Sequence, residues 1–209
     1  MSGILIIGAG GHGKVVADIL LRQSIAVLGF LDDDPAMWGT FRLGLPVLGA
    51  INTFSDYSPE GLIIGIGSNV MRREIVRRLG SLAYDLWQPA VHPEAIIAPS
   101  ASIGRGTVIA AGAVVNPDTC LGDHVIINTG ATVDHDCYIG DFVHIAPGAH
   151  MAGSVRISEG ALLGIGSVAI PGSAIGEWAT VGAGAVVLGN IPGHAIAVGV
   201  PARWSFKGE

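Results

Sequence analysis

The second half of the chain repeats an apolar position every six residues. On stepping by six from Ile97 to Val187, every residue is Ile, Leu or Val except Met151 and Ala169. Four residues after each step stands a small or β-branched side chain, as at Ala101, Thr107, Val125, Cys137 and Ser167. A period of six fits short strands of period two separated by turns, with one bulky residue per strand pointing inward and a small one beside it. The pattern predicts a parallel β-helix of about five coils. Gly, Asn or Asp often follows the inward residue, as at Gly104, Asn116, Gly122 and Asp134, where we expect the tight corners.

Upstream the apolar pattern is of another kind. Gly3 to Ile7 reads as a buried strand, Gly13 to Arg22 as a helix, and Ala26 to Leu31 as a second strand that runs into Asp32-Asp33-Asp34-Pro35. Gly61 to Ile66 predicts a third strand, Val70 to Leu79 a basic-faced helix, and Ala83 to Trp87 a fourth strand. This describes a small α/β unit about half the size of a full dinucleotide fold. Two domains follow, residues 1–90 and 91–209, divided near Pro89 to Pro93.

Bulk properties narrow the partners. Half of the 209 residues are apolar, 13% are charged, and the formal net charge is -6, so no basic surface for nucleic acid is expected. The mean hydropathy of +0.57 is high, but glycines and polar residues break every apolar run before the roughly 20 residues of a spanning helix. No membrane insertion is expected. The N-terminal apolar run has no basic residues ahead of it and ends in a glycine loop, which fits a strand better than a signal peptide. Cys120 and Cys137 make no disulfide or metal framework, and a cytoplasmic setting is expected.

Two stretches carry candidate chemistry. Gly8-Ala9-Gly10-Gly11-His12-Gly13 spells G-x-G-x-x-G after an apolar strand, placing backbone N–H groups at a helix start that favours a phosphate. Asp32 lies roughly 20 residues on, where an acid meets a ribose hydroxyl in dinucleotide folds, so the stretch alone leaves a redox cofactor open. In the repeats, His135 and Asp136 fall on a turn that projects outward. A carboxylate beside an imidazole orients one tautomer and raises its basicity, as a general base requires; a solvated corner histidine is the plainer alternative. Positions 18 apart stack on successive coils, so Pro117 and Gly153 flank His135, and Gly153 is expected to leave open space over the ring.

The chain resembles the hexapeptide-repeat acyltransferases, and within them the bacterial nucleotide-sugar N-acetyltransferases and sialic-acid O-acetyltransferases. The resemblance rests on the repeats, on Gly10-Gly11-His12-Gly13, on Asp32-Asp33 and on His135-Asp136. It implies a Rossmann-like α/β half domain joined to a left-handed parallel β-helix. His135 would then deprotonate an acceptor amine and Asp136 would raise its basicity. Acetyl-CoA, as co-substrate, would meet His144, Ile165 and Ala183, the last two of which stack 18 residues apart. The closing Gly199-Val200-Pro201-Ala202-Arg203 also resembles the family's ending, with Arg203 either facing a phosphate of CoA or standing as a solvated tail arginine. A nucleotide-linked sugar, with uracil or guanine as base, would meet Gly10, Gly11, His12, Asp32, Asp33 and Gly67. The corner of His135 and that of Ile165 point in different directions on one prism. That difference motivates a homotrimer with active sites at subunit interfaces. No NAD and no metal are implied.

Other functions fit parts of the sequence. O-acetylation of a sialic acid or related sugar hydroxyl would use the same machinery. A zinc hydratase on the same β-helix needs three converging imidazoles. The histidines at 124, 135, 144 and 150 include no pair 18 apart. A non-catalytic nucleotide-sugar-binding scaffold would keep the glycine loop and the repeats without needing His135-Asp136.

Overall fold

The computed structural model describes residues 3–206. They form two compact units, one ending at Pro93 and the next beginning at Glu94.

The N-terminal unit is built on β1 (Ile4–Ile7), α1 (Gly11–Arg22), β2 (Val27–Leu31), β3 (Phe41–Arg42), β4 (Leu45–Gly49), β5 (Gly61–Ile64) and α2 (Asn69–Leu79). Its sheet runs β3-β4-β2-β1-β5, parallel except for the β3/β4 hairpin at one edge. Strands buried on both faces must be apolar throughout, which is why β1 reads ILII and β5 GLII. Val16, Ile19 and Leu20 of α1 are buried, while Leu5, Ile7, Leu31, Leu62, Ile64, Ile75 and Trp87 belong to one core cluster.

Two expectations need correction here, and one element was not anticipated. Residues 83–87 form no strand: Tyr84–Leu86 is a 3-10 turn, and Trp87 reaches the sheet only by an isolated bridge to Leu62. The short hairpin of β3 and β4, which spans Gly44 and Pro46, carries no strand pattern in the sequence. Nor is α2 simply basic-faced, because Arg72 is 1% exposed and faces inward with Ile75 and Leu79.

In the C-terminal unit each two-residue strand pairs in parallel with the strand 18 residues away, as Val115 with Val133 and Val133 with Met151. The strands stack into three sheets. One runs from Ile96–Ile97 to Val186–Val187 and another from Ser102–Ile103 to Ala174–Ile175. The third includes Val108–Ile109 and Thr180–Val181, and is closed by antiparallel pairing of Ala195–Val198 with Arg203–Phe206. The stepping residues from Ile109 onward are buried, and so are their small companions from Thr107 to Ala185. This is a parallel β-helix with the inward phase of the sequence.

Its corners differ from expectation. The left-handed residue stands three places after the inward one, at Gly106, Gly112, Asp118, His124, Gly130 and Asp136, and so on to Gly184. The glycines directly after the inward residue serve another need. A Cβ on Gly140 would come 2.8 Å from the backbone nitrogen of Glu159 on the next coil. They allow coils to approach, and the positive φ belongs elsewhere.

Candidate functional site

The glycine loop opens α1 without a side-chain cap on Gly10, so the helix start faces outward with only backbone donors. Its glycines divide into two kinds. A Cβ on Gly13 would collide with the Gly8 carbonyl, and one on Gly65 would lie 2.5 Å from the Gly13 Cα, so these two hold the strand ends and helix together. A Cβ on Gly10 or Gly11 would meet no atom within 4 Å. Their smoothness serves space outside the chain.

That space is a cleft of about 530 Å³ within the N-terminal unit. Every residue assigned to the sugar nucleotide by resemblance lines it: Gly10, Gly11, His12, Asp32, Asp33 and Gly67. Both acids also brace its walls. Asp32 accepts from the Ala9 N–H at 2.8 Å and the Asp34 N–H at 3.0 Å, tying the end of β2 to the glycine loop. Asp33 accepts from the Ile51 N–H at 3.1 Å and pairs with Arg78 at 2.7 Å. Asp34 caps a 3-10 turn by accepting from the Ala36 N–H, a structural role. Sequence reasoning missed Ile51, Gly65, Ile66, Met71, Glu74, Ile75 and Arg78, which also line it. The spacing of 71, 74, 75 and 78 marks one helix face, a signal masked by the charged run around it.

Arg72 sits behind this wall. Its guanidinium donates to the carbonyls of Gly67 at 2.9 Å and Ile66 at 3.2 Å, fixing the loop after β5. Burial pulls its pKa down to about 9, which leaves it protonated at neutral pH.

In the β-helix, Val133 and Cys137 point inward and force residues 134–136 around a corner. Asp136 occupies the left-handed position with φ 58°, which a short polar side chain tolerates. Its Oδ2 lies 2.7 Å from His135 Nδ1. Asp134 Oδ1 accepts from the His135 N–H at 2.8 Å and from Asn116 Nδ2 at 3.0 Å, anchoring the turn to the coil below. The hydrogen bond to Asp136 is the main cause that raises the His135 pKa, and the Asp134 charge adds to it. Nδ1 thus holds its hydrogen toward the carboxylate, and Nε2 is left as the basic nitrogen. Burial pushes the neighbouring Cys137 thiol up, which keeps it protonated.

Gly153 does stack on His135, but it leaves no open space: the ring lies against it, and a Cβ there would come 2.6 Å from Cε1. Ile165 and Ala183 are exposed on another corner, linked where the Gly184 N–H donates to the Ile165 carbonyl at 2.8 Å. His144 is half-buried on a strand, with Nε2 at 3.1 Å from Asn128 Nδ2. Arg203 is exposed in the closing hairpin. The four histidines weighed for zinc have separate surroundings: His124 stacks on Phe142, His150 meets Thr132, and the other two are as described. Among the described residues no three His, Cys, Asp or Glu side chains group to hold a metal, and no helix is long and apolar enough to cross a membrane.

Residues 3–79 match the PglD N-terminal domain. The UDP-N-acetylbacillosamine N-acetyltransferase of Bacillus subtilis (strain 168) is 40% identical over 118 residues, covering 53% of this chain. The chain spans about half of that relative's length, and about a fifth of a curated mimivirus relative. PerB from Caulobacter crescentus, solved in complex with CoA and GDP-perosamine, shares 39% identity, with 97% of each chain covered and a TM-score of 0.89. The acetyltransferase domain of PglB from Neisseria gonorrhoeae, in complex with acetyl coenzyme A, shares 39% identity over 96% of this chain and 97% of its own, with a TM-score of 0.85. This chain belongs to the hexapeptide-repeat nucleotide-sugar N-acetyltransferases.

Proposed function

We propose that the protein transfers the acetyl group of acetyl-CoA to the amino group of a nucleotide-linked amino sugar. The observation that carries this reading is the hydrogen-bonded pair of His135 and Asp136, held at an exposed corner of a chain that matches PerB almost end to end. His135 Nε2 takes a proton from the acceptor amine as its nitrogen attacks the thioester carbonyl carbon. A new C–N bond forms, the C–S bond breaks, and CoA leaves as a thiol after taking up a proton. The Nδ1 hydrogen bond to Asp136 stabilises the imidazolium that develops.

Gly10, Gly11, His12, Asp32, Asp33 and Gly67 receive the nucleotide diphosphate in the cleft, and His144, Ile165 and Ala183 receive acetyl-CoA. The corner of His135 and the corner of Ile165 lie on different edges of one β-helix. The reading therefore includes a homotrimer, in which His135 of one subunit works beside the CoA corner of the next. A cytoplasmic setting accords with two free cysteines.

The test is a screen of nucleotide-linked amino sugars for acetyl-CoA-dependent thiol release, repeated with His135→Ala. Turnover on one of them that His135→Ala abolishes supports the reading. No turnover on any, or turnover that survives the substitution, overturns it. Full activity of a dilute, monomeric sample would overturn the interfacial site.

A further inference from the structure

Among the acids lining the cleft, Glu74 differs from the others. Both Asp32 oxygens and both Asp33 oxygens are engaged by backbone N–H groups or Arg78. Glu74 lines the same cleft from an exposed position on α2, and among the described residues its carboxylate makes no hydrogen bond or ion pair. Apolar side chains share the wall with it: Ile51 and Ile75 are buried and Met71 is 50% exposed one turn earlier, while Arg78, one turn later, is paired with Asp33. A flat ring resting on such surface gains dispersion and sulfur-aromatic contact, and its edge then meets a carboxylate.

An ionised carboxylate only accepts, and it binds best where two N–H donors lie side by side. Guanine offers that pair in N1–H and the exocyclic N2 amino group. Uracil and thymine flank their single N3–H with two carbonyl oxygens, which a carboxylate repels. Adenine and cytosine set a ring acceptor next to their amino group. We infer that Glu74 selects a guanine nucleotide, so that the nucleotide carried by the acceptor sugar in this cleft is GDP. The inference rests on the reading of the cleft as the nucleotide site, and adds which nucleotide it takes and the side chain that chooses it.

Calorimetric titration of the full chain with GDP, IDP and UDP, without acetyl-CoA, tests it. IDP keeps N1–H and the 6-oxo group of GDP but lacks the N2 amino group. GDP is expected to bind about ten-fold or more tightly than either, as a charge-assisted hydrogen bond in a cleft would give. Glu74→Gln and Glu74→Ala, both at an exposed helix position, should abolish the preference for GDP over IDP and leave UDP binding no weaker, since the repulsion of its carbonyl oxygens is relieved. UDP binding as tight as GDP, or a GDP preference that survives both variants, overturns the role of Glu74 while the cleft remains a nucleotide site. Failure of all three nucleotides to bind overturns the nucleotide reading and this inference together.

Discussion

The imidazole of His135 rests on Gly153 of the next coil, so closely that a Cβ would come 2.6 Å from Cε1 and 2.7 Å from Nε2. The φ of Gly153 is not in the left-handed region, so alanine is allowed there by the backbone and excluded only by the ring. Gly153→Ala should therefore fold normally and push the imidazole aside. Displacing a base by about 1 Å costs on the order of a hundred-fold in rate. The expected result is kcat lowered by about that factor, with KM for acetyl-CoA and the melting temperature close to wild type. Wild-type kcat in this variant would mean that the ring position is not used.

The pH profile tests the pairing of His135 with Asp136. The base works as neutral imidazole, so kcat/KM should rise with pH through the His135 pKa. Because Asp136 raises that pKa, the midpoint should lie above the ordinary histidine value. Asp136→Asn keeps a residue that accepts a left-handed φ, and removes the charge and the strong acceptor. Its midpoint should move to lower pH, while the plateau falls by about a hundred-fold. A midpoint that stays in place would detach Asp136 from the function of His135.

How far the sequence reached depends on where each cause lies. The inward residues of the β-helix were legible because a strand's period of two and an 18-residue coil leave a fixed phase in one dimension. The corner glycines were misread because Gly140 owes its identity to Glu159 on the next coil, a neighbour that local pattern does not show. Residues 83–87 carry enough apolar side chains for a strand, but Trp87 reaches the core from the end of a turn. In the cleft, Asp32 was found through its spacing from the glycine loop, and its bond to the Ala9 N–H gives that spacing a structural cause. Glu74 and Arg72 were hidden in the run Arg72-Arg73-Glu74, which reads as solvated charge although its residues face different ways.

Arg72 makes the clearest stability prediction. Arg72→Met keeps much of the volume and removes the guanidinium bonds to the carbonyls of Ile66 and Gly67. Loss of buried hydrogen bonds to a charged group should cost about 3 kcal/mol. The melting transition of the N-terminal unit should fall while that of the β-helix holds. KM for the sugar nucleotide should rise as the Gly67 loop loosens, with KM for acetyl-CoA unchanged. Arg72→Lys, which keeps one charged donor, should recover part of both losses, and equal damage from both variants would show that the bonds to Ile66 and Gly67 are not what matters.

The glycine loop can be separated into its packing and binding members by alanine alone. Gly13→Ala drives a methyl into the Gly8 carbonyl, backbone against backbone with nothing flexible to give way, so the variant should be strongly destabilised or insoluble. Gly10→Ala adds the same methyl where no chain atom lies within 4 Å, at a residue whose φ of -79° suits any amino acid. The fold should not notice it, and alanine in place of glycine should if anything stabilise the unfolded-to-folded balance slightly. The methyl instead occupies the approach to the start of α1, where a diphosphate would meet the backbone N–H groups. KM for the sugar nucleotide should rise by about ten-fold or more with the melting temperature retained. If Gly10→Ala binds GDP and UDP as wild type does, the diphosphate does not sit on this loop, whatever the chain shares with its relatives.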